Sequence, residues 1–96
     1  MILHTLNAPP SSAAFNDCIR LVRAGDALVM MGDGVYAALS GTQHCENLLS
    51  IGIALYVLAP DALVAGVSEL AAGISLIDMD RFVTLTEIFP RLQAWY

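Results

Sequence analysis

Apolar positions in this chain come in short blocks separated by turn residues, and the blocks switch between strand-like and helix-like spacing. Met1 to Leu6 (MILHTL) is largely apolar and runs into Asn-Ala-Pro-Pro-Ser-Ser, a cluster of turn formers, which predicts a first strand. Phe15, Cys18, Ile19 and Val22 then recur at i, i+3, i+4 and i+7, one buried face of a helix. Ser12 is the expected N-cap of that helix and Gly25 its C-terminal stop, with Asn16, Asp17, Arg20 and Arg23 pointing elsewhere. Ala27 to Met31 is apolar throughout, as in a strand covered on both faces. Gly32-Asp33-Gly34 turns the chain into a short helix over Val35 to Leu39 that ends near Gly41.

Thr42 to Ser50 starts polar and becomes apolar, a second helical piece, and Ile53 to Leu58 is rich in residues that suit a buried pleated surface. Pro60 opens a short helix, with Asp61 beside its positive end and Gly66 closing it. Ser68 to Gly73 reads as another brief helical turn, and Ile74 to Ile77 as the fourth strand. Asp78 or Asp80 caps the last helix, whose apolar stripe is Phe82, Leu85 and Phe89; Pro90 ends it, and Leu92 to Trp95 forms a fifth, edge strand. Strands and helices alternating through short links imply right-handed βαβ units and a parallel sheet. The expected fold is α/β: one three-layer, flavodoxin-like domain over residues 1–96, with a mostly parallel four- to five-stranded sheet.

Composition adds a constraint. Apolar residues make up 57% of the chain without Gly, against ~45–50% with Gly included in ordinary domains. A domain of this size hides only about 60% of its unfolded surface, so the excess calls for a sheet buried on both faces and a large partner interface. A membrane span is not expected, because the uncharged stretch Asn47 to Pro60 falls well short of ~18–20 residues. No basic region precedes the apolar start, so no signal peptide is expected and the location expected is cytoplasmic, with both cysteines free thiols. The formal net charge is −5, with four scattered arginines and no lysine. That argues against direct nucleic-acid binding, which clusters basic groups on phosphate, and for a basic protein partner.

In open α/β sheets reactive groups gather beyond the carboxyl ends of the strands, which singles out Gly32-Asp33-Gly34. The turn lacks the glycine spacing of a P-loop or dinucleotide fingerprint, and Asp33 would repel an anion. Its expected role is a tight turn that presents Asp33 and Tyr36 to a partner. Asp33, Asp61, Asp78 and Asp80 each follow a strand, but a Mg²⁺-binding receiver site would also need a lysine; helix capping accounts for Asp61 and Asp80. His44-Cys45 offers too few ligands for a metal, and Cys45 is expected to be half-buried. His4 reads as a packed, hydrogen-bonded strand residue, and neither histidine has a sequence neighbour that would make it a base. Cys18 is the candidate thiol. A reactive cysteine must be reachable and tuned toward thiolate, whereas the helical periodicity places Cys18 on the buried face as a small hydrophobe. No cofactor and no metal are expected.

LHTL with its Pro-Ser turn, GDALVMMGDGVYAAL, YVLAPDALVAG, IDMDRFVTLT and a terminal QAW occur in that order. Together they resemble the TusB/DsrH family, the smallest subunit type of the DsrE/DsrF/DsrH sulfur-relay proteins, over essentially the whole chain. The resemblance implies a heterohexamer with TusC/DsrF-like and TusD/DsrE-like subunits. Such a complex takes persulfide sulfur from a TusA-like carrier and passes it to a TusE/DsrC-like acceptor, for 2-thiolation of the wobble uridine of certain tRNAs. In sulfur oxidisers the related complex serves dissimilatory sulfur metabolism. The family's working cysteine belongs to the TusD/DsrE-type subunit just after the third strand, and Leu58 stands there in this chain. The resemblance therefore implies a non-catalytic member of a sulfurtransferase complex. DsrH-like members also carry a cysteine in the first helix, which Cys18 matches in location, so the alternative is a DsrH-like subunit in which Cys18 handles sulfur.

Overall fold

In a computed structural model that describes residues 1–96, the apolar blocks become five strands. They are β1 (Ile2–Leu6), β2 (Ala27–Met30), β3 (Ala54–Leu58), β4 (Ile74–Ile77) and β5 (Arg91–Trp95). All neighbours pair in parallel, in the order β4-β3-β2-β1-β5. The α/β reading thus holds, with a layered sheet that has its own strand order. The chain steps one way from β1 to β4, then returns across the sheet to lay β5 on the free side of β1. Because βαβ crossovers are right-handed, that reversal decides which face each helix covers.

On one face lie α1 (Ala13–Leu21), a 3₁₀ helix (Gly32–Ala38), α2 (Gln43–Ile51) and α3 (Ala59–Ala65). They bury the larger core, in which Phe15, Cys18 and Val22 from the first helical face meet Leu28, Met30, Leu48 and Val57. On the other face α4 (Met79–Ile88) works alone. Leu85, with the partly buried Phe82 and Phe89, packs on Leu3, Ala27, Val29 and Ile77. Every residue of β2 is buried, since it is covered on both faces.

Helix starts follow the expected chemistry. Ser12 accepts from the Phe15 N–H at 3.2 Å, Thr42 from Cys45 N–H at 3.4 Å, and Asp78 from Arg81 N–H at 2.8 Å. Asp78 is therefore the cap of α4, and Asp80 sits in its first turn. Gly66 closes α3 in the left-handed region at φ +75°.

Three local expectations are corrected. Helix α1 stops at Val22, ahead of Gly25, because Val22 turns extended and the Arg23 guanidinium takes over the carbonyls of Arg20 and Val22. Gly25, at φ +91°, belongs instead to the turn into β2. The helical segment after β2 begins at Gly32 itself and is 3₁₀ throughout. Ser68 to Gly73 is not helical: Leu70 makes an antiparallel bridge to Leu39, and Ser40 N–H donates to the Glu69 carbonyl at 2.9 Å.

Gly34 is where backbone meets backbone. A Cβ there would overlap the carbonyl oxygen of Leu6, the last residue of β1. Replacing Gly with Ala in a helical segment ordinarily helps by reducing backbone entropy, but here the clash is with main chain that no rotamer can move aside. Gly34→Ala is expected to cost about 3 kcal/mol, the upper end of overpacking penalties, read as a lower midpoint in urea denaturation. An unchanged or raised midpoint would contradict this close approach.

Candidate functional site: the carboxyl edge of the sheet

The edge is assembled by short backbone ties. Met31 N–H donates to the Leu6 carbonyl at 3.0 Å and Gly34 N–H to the Met31 carbonyl at 2.9 Å, which joins the ends of β1 and β2 to the 3₁₀ helix. Gly32 N–H donates to Asp61 Oδ2 at 2.8 Å, which ties in the first turn of α3. Gly32 holds φ +52°, and a Cβ there would run into the Asn7 side chain. Gly34 is thus a packing requirement, whereas Gly32 serves its left-handed backbone, since the Asn7 side chain can move aside. Asp61 is used as an acceptor between elements, a role that replaces simple helix capping.

Asp33 is exposed and Tyr36 stands partly exposed beside it. Tyr36 separates two hollows. One, of about 230 Å³, is lined by Gly32, Asp33, Tyr36, Asp61, Val64 and Ala65. The other, of about 350 Å³, is lined by Pro10, Ser11, Tyr36, Leu39 and His44. His44 Nε2 lies 3.2 Å from the Tyr36 carbonyl oxygen, which steadies the segment between them. The structure therefore brings Asp33 and Tyr36 together on one open surface. Chemically that surface offers a carboxylate, a phenol and apolar walls, with Ser11 and His44 in the larger hollow, and neither hollow is lined by a thiol or by a basic side chain other than His44.

Leu58 ends β3 at this edge, is 4% exposed, and leads directly into α3 without capping it. The thiols lie inside the molecule. Cys18 is 1% exposed in the larger core, and burial pushes its thiol up to about 12. Cys45 is fully buried, where half-burial was expected: the Thr42 cap starts α2 so that Cys45 turns inward. Its thiol is also raised, by burial first and by the Glu46 charge second. No three His, Cys, Asp or Glu side chains are grouped closely enough to hold a metal ion.

Sequence reasoning missed one polar assembly. His4 is 2% exposed, and its Nε2 lies 2.9 Å from Asp26 Oδ2. The Trp95 indole N–H donates to His4 Nδ1 at 3.1 Å, with the rings 6.2 Å apart and 26° from parallel. Asp26 also accepts from the backbone N–H of Ile2 at 2.9 Å and of Arg23 at 3.0 Å. Burial pushes the Asp26 carboxyl up, but these bonds, His4's first, outweigh it and hold the carboxyl below the usual range. His4 does have a carboxylate partner, 22 residues further along the chain. The available signal was Asp26 itself, an acid set directly against an all-apolar strand.

Against known proteins, the family model described as DsrH like protein matches residues 7–91. Protein TusB of Pectobacterium parmentieri is 42% identical over 95 residues, covering 98% of this chain and all of that protein. Protein TusB of Escherichia coli (strain K12) is 37% identical over the same coverage. The chain belongs to the TusB/DsrH family. Among solved structures, the ychN protein from E. coli superposes with a TM-score of 0.81 at 17% identity, covering 98% of this chain and 97% of that one. Protein Tm0979 from Thermotoga maritima gives 0.68 at 26% identity, covering 91% and 92%. TusB/DsrH proteins are a sulfur-relay family, and this member has Leu58 buried at the end of β3.

The buried thiol has a measurable consequence. An unfolded cysteine ionises near about 8.5, whereas folded Cys18 does so only near about 12. Between those values the folded state keeps a proton that the unfolded state has lost, so stability falls as pH rises through that window. Urea midpoints should drop from about pH 8 to about pH 10, and Cys18→Ala should flatten the drop. At about pH 8, iodoacetamide should label native Cys18 at least ~100-fold more slowly than a free thiol; rapid labelling of the folded protein would refute its burial.

Proposed function

We propose that this chain is the non-catalytic subunit of a TusBCD-type sulfurtransferase complex that relays persulfide sulfur for 2-thiolation of the tRNA wobble uridine. The observation that carries this reading is Leu58, an alkyl side chain buried at the carboxyl end of β3, where a persulfide-bearing subunit of the family has its cysteine. Leucine can neither accept nor release sulfane sulfur. Sulfur would arrive from a TusA-like carrier and leave to a TusE/DsrC-like acceptor through the TusD/DsrE-like subunit, in the cytoplasm and without direct contact between this chain and nucleic acid. No helix is long and apolar enough to cross a membrane.

What this chain contributes is surface. Leu63 and Val64 on α3 are 82% and 88% exposed, and Leu76, Val83, Ile88 and Leu92 are exposed as well. Exposed apolar area on this scale supports assembly with TusC/DsrF-like and TusD/DsrE-like subunits in a heterohexamer. Asp33 and Tyr36 serve as interface groups beside Val64. The alternative, a DsrH-like subunit of a DsrEFH complex in which Cys18 handles sulfur, draws on the position of Cys18 in α1. Its burial and raised thiol count against a persulfide there.

Co-expression with TusC- and TusD-like chains should yield one co-eluting species of hexamer size, whereas a monomer indifferent to both would refute the proposal. Asp33→Arg combined with Tyr36→Ala should weaken co-purification by about tenfold or more, as loss of central interface groups does, while leaving the urea midpoint of the isolated chain within ~0.5 kcal/mol. Cys18→Ser should retain full tRNA thiolation in cells, and loss of thiolation with the complex intact would favour the Cys18 alternative.

A further inference from the structure

The His4, Asp26 and Trp95 assembly uses every polar valence of the imidazole. An indole N–H can only donate, so His4 Nδ1, 3.1 Å from Trp95 Nε1, must present its lone pair. The ring proton is then on Nε2, where Asp26 accepts it at 2.9 Å. Only the neutral ring in this one tautomer satisfies both partners. A second proton would sit on Nδ1 and face the indole N–H, two donors with no acceptor between them, in a place nearly closed to water.

We propose that His4, Asp26 and Trp95 form a proton-operated latch on the edge strand: neutral His4 holds the carboxyl end of β5 to the sheet, and protonated His4 releases it. The strain falls on Trp95 for a structural reason. Asp26 accepts from a charged ring as well as from a neutral one, and β1 is an interior strand paired on both sides, so His4 stays in place. By contrast β5 has a single neighbour, and its residues before Trp95 are exposed. The last backbone tie, Asn7 N–H to the Trp95 carbonyl at 2.9 Å, goes with the indole.

The charged and titratable neighbours leave the imidazole to Asp26. α1 packs on β1, and the titratable group it buries in that core is the Cys18 thiol. From the following turn, Arg23 binds Asp26 through its backbone while its guanidinium turns back to carbonyls of α1. β5 sets uncharged Gln93 opposite His4, with Arg91 opposite Ile2, and β2 sets Leu28 there. Release would open the β5-facing edge of β1, a row of backbone groups that β5 otherwise occupies.

Trp95 is the chain's only tryptophan, so its indole N–H resonance and its fluorescence report this contact alone. The test follows both on the full chain from about pH 8 to about pH 5, the range in which histidines generally change charge, together with the ring protons of His4 and His44. The expected result is one titration step shared by the His4 ring and the Trp95 indole, a red-shifted emission, and loss of exchange protection at the β5 amides. After correction for intrinsic exchange, that loss should be about tenfold relative to β3, the order of one lost hydrogen bond. His44→Gln should leave the step in place and His4→Phe should abolish it. If His4→Phe does not fold, the wild-type titration decides. A flat Trp95 signal while His4 titrates, a step that follows His44, or a His4 that stays neutral down to about pH 5 would each overturn the latch.

Discussion

β1 needs a partner on both sides, and the chain supplies them from its opposite ends: β2 follows immediately, whereas β5 comes from the last residues. Everything else in the layout depends on that closing pair. It forces the one reversal of winding, sends α4 to a different face from the other helices, and leaves β4 and β5 as edges. His4 is the residue that registers the closure, since it bonds the turn that launches β2 through Asp26 and the end of β5 through Trp95. A buried polar group on an interior strand costs stability unless every valence is met. No buried side-chain nitrogen or oxygen in the molecule lacks a hydrogen-bond partner.

The reversal also makes the two faces unequal. Four helical segments cover one side of the sheet and α4 alone covers the other. Parallel sheets are normally covered on both faces, and a single ten-residue helix cannot screen five strands. Leu92 on β5 and Val83 and Ile88 on α4 are left in solvent as a result. On the thick side the shortfall is at the β4 edge, where Leu63, Val64 and Leu76 lie open. The apolar surplus in the composition has therefore been only partly absorbed by the fold. That uncovered apolar surface is what the proposed assembly with partner subunits would cover.

Local periodicity made most of the fold legible. The Phe15–Val22 face, the wholly apolar β2, and the cap at Ser12 follow from spacing and side-chain chemistry that act within a few residues. Tertiary contacts overrode local reading elsewhere. The 3₁₀ helix starts at Gly32 because the Asp61 carboxylate holds its N–H and Gly34 lies flat against Leu6. Ser68 to Gly73 is drawn out of a helical turn by Leu39. The candidate surface was legible to the same extent: Asp33 and Tyr36 share a turn and so share a face, whereas Asp26 and Trp95 reach His4 across 22 and 91 positions that no local pattern links. The family resemblance supplied what periodicity could not, a reason to single out Leu58 at the carboxyl edge.

The pairing of β1 with β5 also orders events during folding. Its register, Ile2 opposite Arg91 through Leu6 opposite Trp95, joins strands that stand far apart in the sequence. Closing so long a loop is entropically slow compared with local contacts. Until β5 docks, β1 to β4 can assemble with β1 as a temporary edge, so the folding chain carries an open strand that the folded protein hides. Completion of the sheet is thus a late step of folding by geometry, and the interval before β5 docks is when this small chain is most exposed to wrong pairing.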